Sequence, residues 1–206
     1  MIHEAELFVM SETVLVEVVG RVRDGHWEIV LPSLFDIPGD DEPATVRHAV
    51  DRYALEEAWV PDLLAGRTMD EVGLDKFDGH LLGDDAHGHV KRLSAAACAA
   101  AGDVTDGDAT VHAPYGDVTT RDYLWRLTFA RTFTAHDIAF GLGTTACPLT
   151  EEFARAAFAA TEPKAWRWRS LGIFREPLPH PPGHVSWRDQ FLLLAGRDPH
   201  PGHYGH

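Results

Sequence analysis

Lysine is almost missing from this 206-residue chain: Lys76, Lys91 and Lys164 are its only lysines, and the formal net charge is −14. Proteins that grip a phosphate backbone concentrate Lys and Arg to displace counterions, so nucleic acid is excluded as the expected partner. The remaining cations are arginines, whose planar guanidinium suits point recognition of a carboxylate or phosphate better than a diffuse basic surface. Cysteine is equally scarce. Cys98 lies in an alanine-rich stretch and Cys147 just before Pro148, without CxxC spacing or a ligand cluster, and both read as inert reduced thiols. No apolar run reaches the ~18 residues a membrane span requires. The opening MIHEAELFVMSETVLVEVV lacks a basic leader and a small-residue cleavage site, so the expected location is cytoplasmic, away from any membrane. No internal repeat or low-complexity linker divides the chain.

What is present is an ordinary globular composition, 45% hydrophobic and 24% charged, enough for one domain over residues 1–206 with a substantial core. Leu7, Met10, Val14, Val18 and Val22 recur at helical spacing, predicting a first helix over about Ile2–Asp24, with Glu4, Glu6, Glu12 and Glu17 on an amphipathic element. A loop with Pro32, Pro38 and Gly39-Asp40-Asp41 follows. Pro43 suits the first turn of a second helix running to about Trp59, with Pro61 inside or ending it and Gly66 as stop. The Gly- and Asp-rich stretch 67–85 reads as loop, and a third helix spans about Asp85–Ala101. A further loop, TDGDATVHAPYGDVTT, has room for a short extended piece. Thr119 or Thr120 then caps a long helix ending near Gly143. Shorter helices are expected over about Thr150–Ala160 and from Ser186 through Leu194.

The long helix is the informative element. TTRDYLWRLTFARTFTAHDIAFGLG is apolar on almost every face yet carries Arg126, Arg131, His136 and Asp137. A helix apolar all round belongs inside a bundle, and charges on it require partners or a polar cavity. Other polar clusters read more plainly. His200, His203 and His206 lie in a Pro- and Gly-rich end, and Asp103, Asp106 and Asp108 lack the Glu that completes a calcium loop. Gly141-Leu142-Gly143 is a helix stop rather than a dinucleotide fingerprint. His80, His87 and His89, among Asp78, Asp84 and Asp85, read as polar surface.

Ala44-Thr45-Val46-Arg47, the helix end His136-Asp137-Ile138-Ala139 with Gly141-Leu142-Gly143, and the closing Phe191-Leu192-Leu193-Leu194-Ala195-Gly196-Arg197-Asp198-Pro199 are the phrases that carry a resemblance. In this order, over almost the whole chain, the sequence resembles the mycothiol-dependent maleylpyruvate isomerase-like branch of the DinB superfamily. The resemblance implies an all-α fold: a DinB-like four-helix bundle with additional short C-terminal helices and long loops. It also implies an actinobacterial setting, mycothiol as the low-molecular-weight thiol, and often a zinc ion at one end of the bundle that activates it.

That metal would be held by a His on the second helix and by a Glu and a His four apart on the long helix. Here the chain departs from the pattern. Registered on Thr45-Val46-Arg47, the first His position falls on Arg52, with His48 one turn earlier; registered on Asp137-Ile138-Ala139, the Glu and His positions fall on Ala130 and Thr134. Making His136 the histidine places Thr132 where the Glu belongs. Three protein ligands are the minimum that catalytic zinc sites keep, so a metal-free site is the expectation.

Two functions remain open. One is a thiol-dependent isomerase or transferase, with His48 or His136 as general base and Arg52, Arg131, Thr134 and Asp137 binding a small acidic molecule or thiol. The other is a non-catalytic, metal-free small-ligand-binding or interaction protein, with Arg52 paired internally to Asp137 or Glu56. A bundle of this kind can form a homodimer through apolar helix faces.

Overall fold

The computed structural model describes residues 1–32, 44–79, 81–143 and 147–200. Pro38, Gly39, Asp40, Asp41, Pro43, His80, His203 and His206 lie outside them. Helix makes up 59% of the described residues and strand 6%, an essentially all-α protein. Four long helices, α1 (His3–Val19), α2 (Val46–Leu64), α4 (Ala86–Gly102) and α5 (Thr120–Gly141), contact one another in a closed ring: α1 lies against α5 and α4, and α2 against α4 and α5. Among the described residues no helix is long and apolar enough to cross a membrane.

Local chemistry sets most of the boundaries. The Thr119 hydroxyl accepts the Asp122 amide at 3.1 Å and starts α5; the Thr45 hydroxyl accepts the His48 amide at 3.3 Å and starts α2; Asp85 Oδ1 accepts the Gly88 amide at 2.9 Å and starts α4. Each satisfies an amide that the helix itself leaves without a partner. α1 ends at Val19, short of the expected Asp24, and the chain turns through Gly20 into a 3₁₀ turn at Asp24–His26. α2 runs on through Pro61 to Leu64, past the expected Trp59. The 67–85 stretch, read as loop, contains a one-turn helix, α3 (Met69–Val72), closed by a reciprocal capping box between Thr68 and Glu71.

The extended piece is a complete hairpin. β3 (Thr110–Ala113) pairs antiparallel with β4 (Gly116–Thr119), and Gly116 takes φ 115°, a conformation open to glycine, at the turn after Pro114-Tyr115. β4 runs directly into α5, so the hairpin is fixed to the N-terminal end of that helix. A second pair, β1 (Val30–Leu31) with β2 (Ala44–Thr45), leads into α2.

α6 (Glu151–Thr161), α7 (Ala165–Ser170) and α8 (Trp187–Leu194) complete the fold. They pack an aromatic cluster on α5: Phe129 lies 4.8 Å from Trp168, 5.2 Å from Phe174 and 5.3 Å from Trp125 between ring centroids, and Phe133 lies 6.0 Å from Phe191. α5 is consequently buried from Tyr123 to Ala139 with one exception, Arg126.

Candidate functional site

The six residues singled out in the sequence separate into different environments. His48 is exposed on the first turn of α2, where its amide serves the cap. Arg52, one turn on, is exposed too, and its side chain borders two depressions. One is a minute gap of about 10 Å³ that it shares with Thr134 and Asp137; the other is a surface groove of about 410 Å³ flanked by Asp51, Phe77 and Asp78. Arg52, Thr134 and Asp137 are therefore brought together, around a space no larger than one water molecule. His136 and Arg131 face elsewhere.

Asp137 and Glu56, the two partners considered for Arg52, engage other arginines. Asp137 forms a buried ion pair with Arg197, Nε to Oδ1 3.9 Å, and the Arg197 guanidinium lies 3.8 Å from the centroid of the Phe133 ring. The Ala195-Gly196-Arg197 phrase makes this possible. Gly196 takes φ 73°, and a Cβ there would collide with the Glu176 carbonyl and the Arg175 side chain. The chain can thus fold back tightly and place Arg197 inside. Burial raises the pKa of Asp137, against the pull of Arg197 and Arg175, and lowers that of Arg197 to about 10, against the pull of Asp137. His136 lies in the same region. Burial, then the charges of Arg197, Arg188 and Arg175, push its pKa down to about 3, with a hydrogen bond to the Asp198 backbone working the other way. Its Nδ1 has no hydrogen-bond partner among the described residues. It is a neutral buried imidazole.

Arg131 is the hub of a second polar cluster. Its Nε approaches Glu12 Oε1 at 3.2 Å and Glu57 Oε1 at 2.7 Å, its Nη2 also donates to Glu57 Oε1, and its Nη1 donates to Glu56 Oε2 at 2.6 Å. The Tyr53 hydroxyl donates to Glu12 Oε2 at 2.6 Å. Glu12 and Glu57 have no solvent exposure, and Arg131 has 2%; Glu56 is 42% exposed at its side chain. Burial works against the charge on Arg131, yet Glu57, Glu56 and Glu12 together outweigh it and hold the guanidinium well above its ordinary pKa. The same burial raises the pKa of Glu12 and, more strongly, of Glu57, although Arg131 opposes it in both.

The cavity with the character of a ligand site lies just outside this cluster. It has a volume of about 350 Å³ and is bounded by Leu55, Glu56, Trp59 and Leu63 of α2, Met69 of α3, the Pro114-Tyr115 turn of the hairpin, and Tyr123, Arg126, Leu127 and Ala130 of α5. Helix spacing explains the lining: positions 55, 59 and 63 share one face of α2, and 123, 126, 127 and 130 share one face of α5. Arg126 and Glu56 are the charged side chains in this apolar and aromatic wall. Arg126 lies 4.0 Å over the Tyr115 ring, while Glu56 turns toward Arg131. Ala130, where the resemblance places a glutamate ligand, lines the cleft as a methyl group.

Residues that fit a zinc ion are missing from these sites. Among the described residues no group of three or more His, Cys, Asp or Glu side chains could hold a metal ion. His48 and Arg52 are on the surface, His136 lies beside buried arginines, and the His89 ring is held on the Leu82 carbonyl at 2.5 Å. The thiols are unreactive in kind: burial pushes Cys98 up to about 11 and Cys147 up to about 12.

Glu12, Glu57 and Arg197 went unrecognised as site residues because their partners are remote in sequence. The local signal pointed only to the long helix. Tyr115 was hidden in a segment that carries no helical period. Compared with known proteins, the chain matches no family model, no curated protein and no solved structure.

Proposed function

We propose that this protein is a metal-free small-ligand-binding protein built on a DinB-like four-helix bundle, and that its ligand occupies the cleft between α2, α5 and the β3–β4 turn. The cleft carries the reading: about 350 Å³, walled by Trp59, Tyr115, Tyr123, Leu63, Met69 and Leu127, with one arginine stacked at its edge. Small-molecule sites have this make-up, a concave apolar wall with a few oriented polar groups. The ligand is a small, largely apolar molecule with an acidic end directed to Arg126, whose guanidinium offers paired donors. The ring of helix contacts and the short C-terminal helices support the DinB-like architecture.

The binding reading is favoured over the isomerase or transferase by what surrounds the expected chemical groups. A general base must ionise near the working pH and reach its substrate. His136 fails the first requirement with a pKa near 3 and is absent from the cleft wall, and His48 is not part of that wall either. Arg52, Ala130 and Thr134 stand at the positions of the metal ligands that the thiol chemistry implied by the resemblance would need.

Titration with the fluorescent probe anilinonaphthalene sulfonate, an aromatic monoanion, tests the reading. Saturable binding by the folded protein is expected, weakened at least tenfold in Leu55→Trp, which fills the cleft from an exposed position, and weakened less in Arg126→Gln. Equal binding by wild type and both variants, each shown to be folded, sinks the assignment.

A further inference from the structure

The charges around Arg131 do not balance. Glu12 and Glu57 have no solvent exposure, and the one guanidinium buried with them must also serve Glu56. Both Glu12 Oε1 and Glu57 Oε1 converge on Nε, which has a single hydrogen to give. Glu57 Oε2 is buried and has no hydrogen-bond partner among the described residues. An ionised carboxylate oxygen in that condition is strongly disfavoured, and a group so placed neutralises instead. The groups that face the pair and Glu56 are Glu12 on α1; Tyr53 and Glu56 on α2; Ser94 and Cys98 on α4; Tyr115 on the hairpin turn; and Tyr123, Arg126 and Arg131 on α5. Arg131 is the positive charge buried with the pair; Arg126 is half-buried on the cleft wall, over the Tyr115 ring. Tyr53 donates to Glu12 Oε2, whereas Glu57 Oε2 has no such donor among the described residues, which leaves Glu57 the less solvated of the pair.

We propose that Glu12 and Glu57 hold one proton between them at neutral pH, and that filling the adjacent cleft draws a further proton into the cluster. The proton belongs to the pair, not to either residue. The second step follows from Glu56, which donates nothing and accepts from Arg131 while its side chain lines the cleft. An apolar ligand laid over Glu56 removes its water. A third carboxylate is then desolvated against the same guanidinium, and proton uptake is the response that restores neutrality. Ligand binding and proton binding are thereby linked, and linkage is reciprocal. The coupling rests on the cleft being the ligand site; the protonated pair does not.

Infrared spectroscopy of protein labelled with carbon-13 at glutamate carboxyls tests the pair. At neutral pH the wild type should show the carbonyl stretch of a protonated glutamate. Glu57→Gln and Glu12→Gln should each lose it, because the remaining carboxyl then shares Arg131 with no other fully buried carboxyl, and Glu56→Gln should keep it. Absence of the band in the wild type, or its persistence in both buried-site variants, overturns the proposal; the wild-type spectrum decides even if a variant does not fold. Calorimetric titration with anilinonaphthalene sulfonate, in buffers of different ionisation enthalpy, tests the coupling. Net proton uptake is expected, with affinity falling by up to about tenfold per pH unit where uptake approaches one proton. Binding without proton exchange overturns the coupling alone. Absence of binding overturns the cleft reading and leaves the infrared result standing.

Discussion

Arg131 offsets the charge of two carboxyl groups that water cannot reach. Removing one member of a buried ionic group costs about 3–5 kcal/mol, chiefly from the charge left behind. Arg131→Met should therefore lower the stability measured by urea unfolding at neutral pH by that order. The loss should shrink at acid pH, where Glu12 and Glu57 accept protons, and a loss equal at both pH values would show that packing rather than charge is at stake. His136 behaves differently. It is buried neutral, so it is a structural imidazole that acid threatens. The contrast was partly legible in the sequence: an apolar helix with Arg131, His136 and Asp137 inside it announces buried polar chemistry. The partners were not legible. Glu12 and Glu57 have the spacing of ordinary helix carboxylates, and Arg197 sits sixty positions from Asp137; only the packing of α1, α2 and the C-terminal turn brings these groups together.

Among the elements, capped helices were the most readable. Thr119, Asp85, Thr150 and Ser186 each precede a helix and accept an amide from its first turn, and each boundary follows from that chemistry. α7 and the β3–β4 hairpin were obscure for the opposite reason: the first is one and a half turns of Trp and Arg, and strands of four residues carry little alternation. The hairpin nevertheless supplies Tyr115 to the cleft, so the least readable segment contributes to the site. Two substitutions in α5 separate its local from its tertiary determinants. Thr119→Ala should cost about 1 kcal/mol by loss of the cap. Phe129→Ala, which removes the ring shared by Trp125, Trp168 and Phe174, should cost about 3–5 kcal/mol. Thermal unfolding of both variants checks the ranking; a cap loss as large as the core loss would mean that α5 is held by its own helical stability.

For the whole molecule, the two buried polar regions give stability a pH dependence with two limbs. The His136 pKa falls from 6.5 in the unfolded chain to about 3 in the fold, so the unfolded state binds more protons in that interval and stability is lost as pH falls from 6.5 toward 3. Glu57 runs the other way. Its folded pKa lies well above the unfolded 4.5, so the native state binds more protons and stability is lost as pH rises from 4.5 through the folded pKa. Each group contributes a slope of at most about 1.4 kcal/mol per pH unit. Urea unfolding across pH should show His136→Leu flattening the acid limb and Glu57→Gln flattening the decline toward alkaline pH. If Glu57→Gln leaves that decline unchanged, Glu57 is ionised in the fold.

The most direct test of the cleft as the ligand site is methyl NMR of leucine- and methionine-labelled protein titrated with small aromatic monocarboxylates. The predicted result is a saturable set of shifts at Leu55, Leu63, Met69 and Leu127, which line the cleft, with Leu171 and Leu192 unmoved. Shifts centred on those two leucines, or none at the cleft methyls at ligand concentrations that saturate binding, would contradict it.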